Sequence, residues 1–428
     1  MNRLKRWLRA LGARENRLWV TQAVTSLLAV LLALAASLAG QLLPEGLAPD
    51  IERKTLDDLL TVIASSMLAV TTFSLGAMVG AFGAAASNMT PRTRPLLMAD
   101  DDTRNAIAAF LSSFIYAVVA KVALGVGFYG INGRFILFLG TLGVLCWLLF
   151  TLVKWVRTLS SLGSMGHTLE KVESVASDAL AQYWRDPALG ARAGLPHDGD
   201  DSALGAPIYA SQTGYVQHMD MPALQACAQD ADCTLHLRVR PGMLVWPGVV
   251  IARVENAAES AELADAVRDA IDFGPLRSFD QDPRFGLIVL GESGQRALAS
   301  DFNDRGTAID VMNRLLRVMI DSERADDDTG EDDCSAVRHD RLSLVPLDEA
   351  ALVSDAFHPL ARDGAGLIEV GIRMQKLLAA LAAASRSGAV ARAAKEQADR
   401  ARDYALAALP HAHDRAALLA HSSPLPVE

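Results

Sequence analysis

Residues 59–86 read LLTVIASSMLAVTTFSLGAMVGAFGAAA, with no charged side chain from end to end. A hydrocarbon core of about 30 Å takes roughly 20 apolar residues of helix to cross, and this stretch is long enough to cross with a tilt. Thr72, Gly76, Gly80 and Ala84 recur at every fourth position, with Leu68 before them and Asn88 after, and so share one helical face. Small residues at this spacing let a second backbone approach closely inside a membrane. Ser65, Ser66, Thr71, Ser74, Gly83 and Ser87 make the helix polar for one that faces lipid. Two readings stand: tight packing within a bundle, or a face lining a water-filled path in an oligomer.

Three more apolar stretches surround this one, at residues 18–43, 105–130 and 135–155, and none follows residue 157. The 428-residue chain therefore reads as a membrane α-helical domain of four transmembrane helices (1–157) followed by a large soluble tail. Basic residues set its orientation. Arg3, Lys5, Arg6, Arg9, Arg14 and Arg17 precede the first stretch, and the loop after it is mainly acidic. Arg92, Arg94 and Arg104 follow the second stretch, Arg134 the third, and Lys154 and Arg157 close the fourth. The positive-inside rule places both termini in the cytoplasm. A secretory-signal reading, with cleavage after Ala36-Ser37-Leu38-Ala39, is disfavoured because the apolar run is too long and three more follow.

The net charge of −10 argues against a nucleic-acid partner. Cys146, Cys227, Cys233 and Cys334 form no CxxC pair and stand near no zinc-type histidine spacing, so they read as free thiols.

Lys121 is the strongest single residue. It lies in Tyr116-Ala-Val-Val-Ala-Lys121-Val-Ala-Leu, where a lysine near mid-membrane costs a few kcal/mol on insertion scales. Snorkelling to the outer surface or pairing with Asp57 or Asp58 would relieve that cost. The alternative is a cation facing a pore or an anionic substrate. Downstream, Pro91-Arg92-Thr-Arg94-Pro95 reads as a rigid turn at the cytoplasmic boundary. Asp100-Asp101-Asp102 then suits the N-terminus of the third helix.

The tail reads as cytoplasmic α+β. A helical connector and loop (158–207) leads to a small β-barrel-like module (208–256), with strands at 208–217, 234–239 and 249–254 and a helix at 221–230. Pro241-Gly242 and Pro247-Gly248 supply its turns. A helical module follows (257–320), with helices at 259–271, 283–299 and 307–320. After it come an acidic linker (321–337) and a mainly helical C-terminal module (338–428) that opens on a strand at 341–346. Asn303, Asp304 and Thr307 have helix-capping chemistry, yet their density near Arg296 leaves room for a ligand site.

Several catalytic and metal patterns fail. Gly291-Glu-Ser293-Gly-Gln295 starts like a nucleophile elbow but ends in Gln and reads as continuous helix. Counted from Asp326, the sixth and twelfth positions of a calcium loop hold Glu331 and Val337 in place of Gly and Glu. His411 and His413 do not share a helical face. No cofactor, metal or catalytic residue is expected.

Several phrases together resemble the bacterial membrane proteins grouped as domain of unknown function 2254. They are Gly214-Tyr215-Val216-Gln217-His-Met-Asp220, Pro241-Gly242-Met-Leu-Val-Trp-Pro-Gly248, Arg277-Ser-Phe-Asp-Gln281-Asp282-Pro283-Arg-Phe285-Gly286-Leu287, Arg296-Ala297-Leu298 and Asn303-Asp304-Arg-Gly-Thr307-Ala308. Thr72-Phe73-Ser74 and Pro91-Arg92 agree in the membrane part. The family often has Pro where this chain has Arg305, and an acid where it has Leu276. The resemblance implies membrane helices plus a cytoplasmic domain in the bacterial inner membrane, and it supplies no activity.

The leading expectation is thus an oligomeric channel or transport protein with a cytoplasmic sensing or gating domain. Its membrane-site residues would be Lys121, Thr72, Gly76, Gly80, Asn88, Asp57 and Asp58. A cytoplasmic ligand site would use Arg277, Asp282, Arg296, Asn303, Asp304 and Thr307. The partners expected are the bilayer, further copies of the chain and a cytoplasmic ligand. The alternative is a non-conducting, membrane-anchored binding scaffold. A membrane enzyme ranks last, because no nucleophile–base or metal constellation survives.

Overall fold

The computed structural model describes residues 17–42, 49–88, 90–93, 96, 101–161, 164–194, 205–256, 260–299, 303–325 and 337–421. The acidic run beyond residue 325, Cys334 and most of the stretch before residue 205 lie outside the described residues. The chain divides into two units, residues 1–168 and 169–428.

The first unit contains α1 (Arg17–Leu42), α2 (Arg53–Asn88), a short 3-10 turn (Pro91–Thr93), α3 (Asp101–Gly125) and α4 (Ile131–Ser161). Three helical segments are long and apolar enough to cross a bilayer: Arg53–Ala81, Asp102–Gly125 and Ile131–Leu159. The fourth expected span lies in the 26-residue α1, whose described side chains give an apolar stretch at Ala23–Leu38. α3 is the central helix, packed against α1, α2 and α4. Its alanine-rich face lets neighbours approach, and Phe110 and Tyr116 fill the space between them together with Leu56, Leu60 and Leu137. Tyr116 closes the interior by sharing a hydrogen bond with the Thr141 hydroxyl at 3.1 Å.

The second unit begins within α5 (Met165–Arg185). Its strands are β1 (Ala191–Ala193), β2 (Ala206–Tyr209), β3 (Gly214–Met219), β4 (Thr234–Leu237), β5 (Leu244–Val245), β6 (Val250–Glu255), β7 (Ile271–Gly274) and β8 (His339–Leu344). α6 (Met221–Asp230) and α7 (Ala261–Asp269) pack on the same apolar core as the strands. Both helices start on side-chain caps. Asp220 accepts the Ala223 N–H at 3.1 Å, and Ser260 accepts the Leu263 N–H at 3.0 Å.

The expected small barrel is not there. The strands form an open five-stranded sheet ordered β1-β8-β4-β6-β2 and a three-stranded sheet ordered β5-β3-β7. Two features of the chain explain the difference. The single strand expected at 208–217 splits at residues 210–213, sending β2 to one sheet and β3 to the other. β8, which follows the acidic run, inserts between β1 and β4 and runs parallel to both. Parallel neighbours need a long crossover, so turn spacing around residues 241–248 carries no signal of this strand. Its register sets Leu342 and Leu344 against Leu235 and Leu237, and all four are fully buried.

The remaining helices are α8 (Phe285–Leu298), α9 (Arg305–Arg324), α10 (Ala350–Asp363), α11 (Ile368–Ala384), α12 (Gly388–Ala408) and α13 (Ala412–His421). α8 packs between α9 and α10, and α12 covers α10 and α11. α5 approaches α8 where Gly286 faces Ala176, leaving no room there for a side chain.

Candidate functional site

The membrane unit carries two levels of ion pairs. At one end, Lys121 Nζ donates to Asp57 Oδ2 at 3.1 Å and to Thr61 Oγ1 at 2.5 Å. At the same end Arg53 donates to the Gly125 carbonyl at 2.5 Å, and Arg134 pairs with Asp50 at 2.9 Å. At the other end Lys154 pairs with Asp102 at 2.7 Å. Along α3, Asp102 and Lys121 are separated by about 28 Å at 1.5 Å per residue, and along α4, Arg134 and Lys154 by about 30 Å. Those spans match a hydrocarbon core of about 30 Å.

Lys121 therefore lies one turn inside the end of α3, with a carboxylate and a hydroxyl on the antiparallel helix as partners. Asp58 is exposed beside this pair. Thr72, Gly76 and Gly80 lie elsewhere, since Gly76 is about 28 Å along α2 from Asp57. Their face is open: a Cβ built on Gly76 or Gly80 meets nothing within 4 Å. Thr72, also exposed, donates to its own helix at the Leu68 carbonyl, 3.0 Å away. Asn88 is the last residue of α2.

The candidates of the second unit also fall into two places, at opposite ends of α8. At its start, Arg277 grips Asp282 with two hydrogen bonds, Nε to Oδ2 at 2.7 Å and Nη2 to Oδ1 at 2.9 Å. Asp282 Oδ1 also accepts the backbone N–H groups of Arg284 at 3.1 Å and Phe285 at 3.2 Å, so the same carboxylate caps α8. Asp282 is 1 % exposed and Arg277 18 %, and the guanidinium lies 5.3 Å from the centre of the Phe285 ring. Burial pushes the Asp282 carboxyl above its ordinary value, against the opposing pull of Arg277 and the hydrogen bonds. Next to it, Arg284 pairs with Asp355 of α10 at 2.7 Å.

The first of the two Pro-Gly phrases locks onto this junction. Met243 N–H bonds the Arg240 carbonyl at 3.1 Å, and Val249 N–H bonds the Trp246 carbonyl at 3.0 Å. Each turn has Pro second and a positive-φ Gly third, Gly242 at 91° and Gly248 at 101°, which is the type II pattern. A side chain at Gly242 would run into Asp282 and Arg277, whereas Gly248 has open space beside it. Gln281 completes the tie by accepting the Met219 N–H of β3 at 2.9 Å. Gln217 donates to the Leu276 carbonyl at 2.7 Å.

At the far end of α8 lie Arg296 in its last turn and Asn303, whose φ is 44°. Asp304 caps α9 through the Thr307 N–H at 3.0 Å and the Thr307 hydroxyl at 2.6 Å, which hold its carboxyl below the usual value. The structure thus joins Arg277 to Asp282 and Asp304 to Thr307, and it separates the two pairs by the length of a 14-residue helix, about 20 Å.

Sequence reasoning missed three features. Arg240 is buried and donates to the carbonyls of Val345 at 2.7 Å and Pro187 at 2.6 Å, with burial pulling its pKa down. Tyr183 donates to Glu349 at 3.1 Å. A cleft of about 440 Å³ between α8, α10 and α12 is lined by Gln295, Asp355, His358 and Arg400 among others. Only Arg240, inside the Arg-Pro-Gly phrase, carried a local signal. Ser293, the near-miss nucleophile, is fully buried in α8 and donates to the Val289 carbonyl at 2.8 Å. No group of His, Cys, Asp and Glu able to hold a metal occurs among the described residues. Cys146, Cys227 and Cys233 are free thiols.

Long apolar helices followed by a mixed α/β unit define a predicted membrane protein. The chain belongs to the family described as predicted membrane protein, domain of unknown function 2254, whose family model matches residues 15–380. That match spans parts of both units and ends within α11, so α12, α13 and Arg400 lie beyond it. No curated protein and no solved structure matches the chain.

Proposed function

We propose that this is a multi-pass inner-membrane protein whose copies assemble through the small-residue face of α2, with any conduction or transport path lying between copies. The open face at Thr72, Gly76 and Gly80 carries this reading. The interior of one membrane unit is filled by Leu60, Phe110, Tyr116 and their neighbours, so a path through a single chain has little room. α1 completes the bundle as a fourth crossing. The basic N-terminus, Arg92, Arg104 and Arg157 support an orientation with both termini in the cytoplasm, where the second unit would act as a non-enzymatic sensing or gating domain.

The second reading is the non-conducting anchored scaffold. It is favoured by the Lys121–Asp57 pair, which neutralises the one cation within the apolar part of α3. Hydroxyls on α2 support it too: Thr61 and Ser65 donate to their own helix at 2.6 and 2.9 Å. Ion flux from liposomes containing the purified protein separates the two. Conduction abolished by Gly76→Leu, with folding intact, supports a path between copies. An absence of flux across pH, voltage and ion type supports the scaffold. A selectivity change in Lys121→Glu with the protein still assembled would instead return Lys121 to the path.

A further inference from the structure

The three-stranded sheet presents an apolar face that the assembly reading does not use. Leu244 is 47 % exposed, Trp246 54 % and Leu276 64 %. Leu244 and Trp246 are two residues apart, and Leu244 pairs across the sheet with Tyr215, which pairs in turn with Gly274. Leu276 follows two residues beyond Gly274. Alternation sends Val245 and Val216 to the opposite face, where both are fully buried. The exposed residues are rigidly held, because the two Pro-Gly turns bracket β5 and the first is seated on the Arg277–Asp282 pair.

We propose that this face docks on the headgroup–acyl boundary of the bilayer that anchors the chain. The inference rests on the membrane reading above. Three observations select lipid as the occupant. First, β5 is an edge strand of two residues with Pro241 on one side and Pro247 close on the other, and neither proline has an N–H to extend a ladder. Side chains, and not backbone, are therefore what the edge offers. Second, exposed side chains of this number and size present on the order of 400 Å², about half of the roughly 800 Å² per partner of a stable protein interface. Third, the second unit starts at Leu169, shortly after α4 ends at Ser161, so the chain itself holds a bilayer surface at high effective concentration. Trp and Tyr rings suit the headgroup level, and Tyr215, Gln217 and Gly274 beside them are uncharged, the nearest charge on this side of β7 being the exposed Asp272 two residues before Gly274.

The test uses the full chain in liposomes with spin-labelled phospholipid, its native cysteines replaced by Ser or Ala. A fluorophore is attached in turn through Leu244→Cys, Phe150→Cys and Glu262→Cys. Phe150 is exposed on α4 and reports insertion itself, and Glu262 is an exposed control in the second unit. We expect the Leu244 and Phe150 labels to be quenched several-fold more than the Glu262 label. Adding Trp246→Glu should reduce Leu244 quenching to the Glu262 level. Quenching at Phe150 with none at Leu244 overturns the docking and leaves the membrane reading intact, whether the Leu244 label is reached by aqueous iodide or covered by protein. Absence of quenching at Phe150 overturns the membrane reading and the docking with it.

Discussion

Arg277–Asp282 and Lys121–Asp57 are ion pairs of similar length in opposite settings. The first is in the second unit, where the carboxylate is 1 % exposed and accepts four hydrogen bonds, two of them from the start of a helix. The second is in the membrane unit, with both side chains at least 40 % exposed and one hydroxyl beside them. A buried pair is expensive to break because the survivor keeps its charge without water or partner. A half-exposed pair relaxes. The residue that stands out most in sequence, a lysine inside an apolar run, is therefore the less demanding of the two.

The sharpest way to break this comparison is Asp282→Ala. It strands Arg277 and uncaps α8, and should destabilise the second unit by about 3–5 kcal/mol, read by chemical denaturation of the full protein in detergent. A loss under about 1 kcal/mol would remove the distinction. Next come the twin turns. Gly242→Ala combines a left-handed backbone with a collision against Asp282 and should lose about 2–3 kcal/mol. Gly248→Ala has only the backbone strain and should lose about 1 kcal/mol. Equal losses would show that the turn is not seated on the pair.

Asp304→Ala should destabilise by about 1 kcal/mol, the usual value of an N-cap. Its pH dependence has a definite sign. The folded Asp304 carboxyl lies below its ordinary 3.8, so its contribution is present above that value and lost as pH falls further. The gap between wild type and variant should therefore close in acid. Asp282 carries the opposite sign, because burial raises its carboxyl: the gap between wild type and Asp282→Ala should be widest below 3.8 and should narrow, without closing, as pH rises through the raised value. The smallest effect is expected from Lys121→Met, under about 1 kcal/mol, measured as thermal stability in detergent. A larger loss would give the membrane pair the weight assigned here to Asp282.

What the sequence revealed follows the range of the signal. Apolar length marks α2, α3 and α4, and the capping chemistry of Asp304 and Thr307 is visible because partners three residues apart are read locally. The helix expected at 221–230 forms as Met221–Asp230 on its Asp220 cap. Long-range pairing left no such trace. β8 reaches β4 across more than 100 residues, which is why a small barrel was expected in place of two open sheets. The six candidates of the second unit were grouped by polarity, yet α8 separates them. The Lys121–Asp57 partnership was legible as one of three outcomes, beside snorkelling and a pore-facing cation, because sequence fixes neither helix rotation nor depth.

The claim that copies meet through α2 is tested most directly by oxidative cross-linking in membranes. The chain would carry Gly76→Cys and no native cysteine, beside a matched chain carrying Phe150→Cys on the exposed face of α4. A covalent dimer is expected from the Gly76→Cys chain and only monomer from the Phe150→Cys chain. Monomer from the first with dimer from the second would contradict that claim and move the contact between copies to α4.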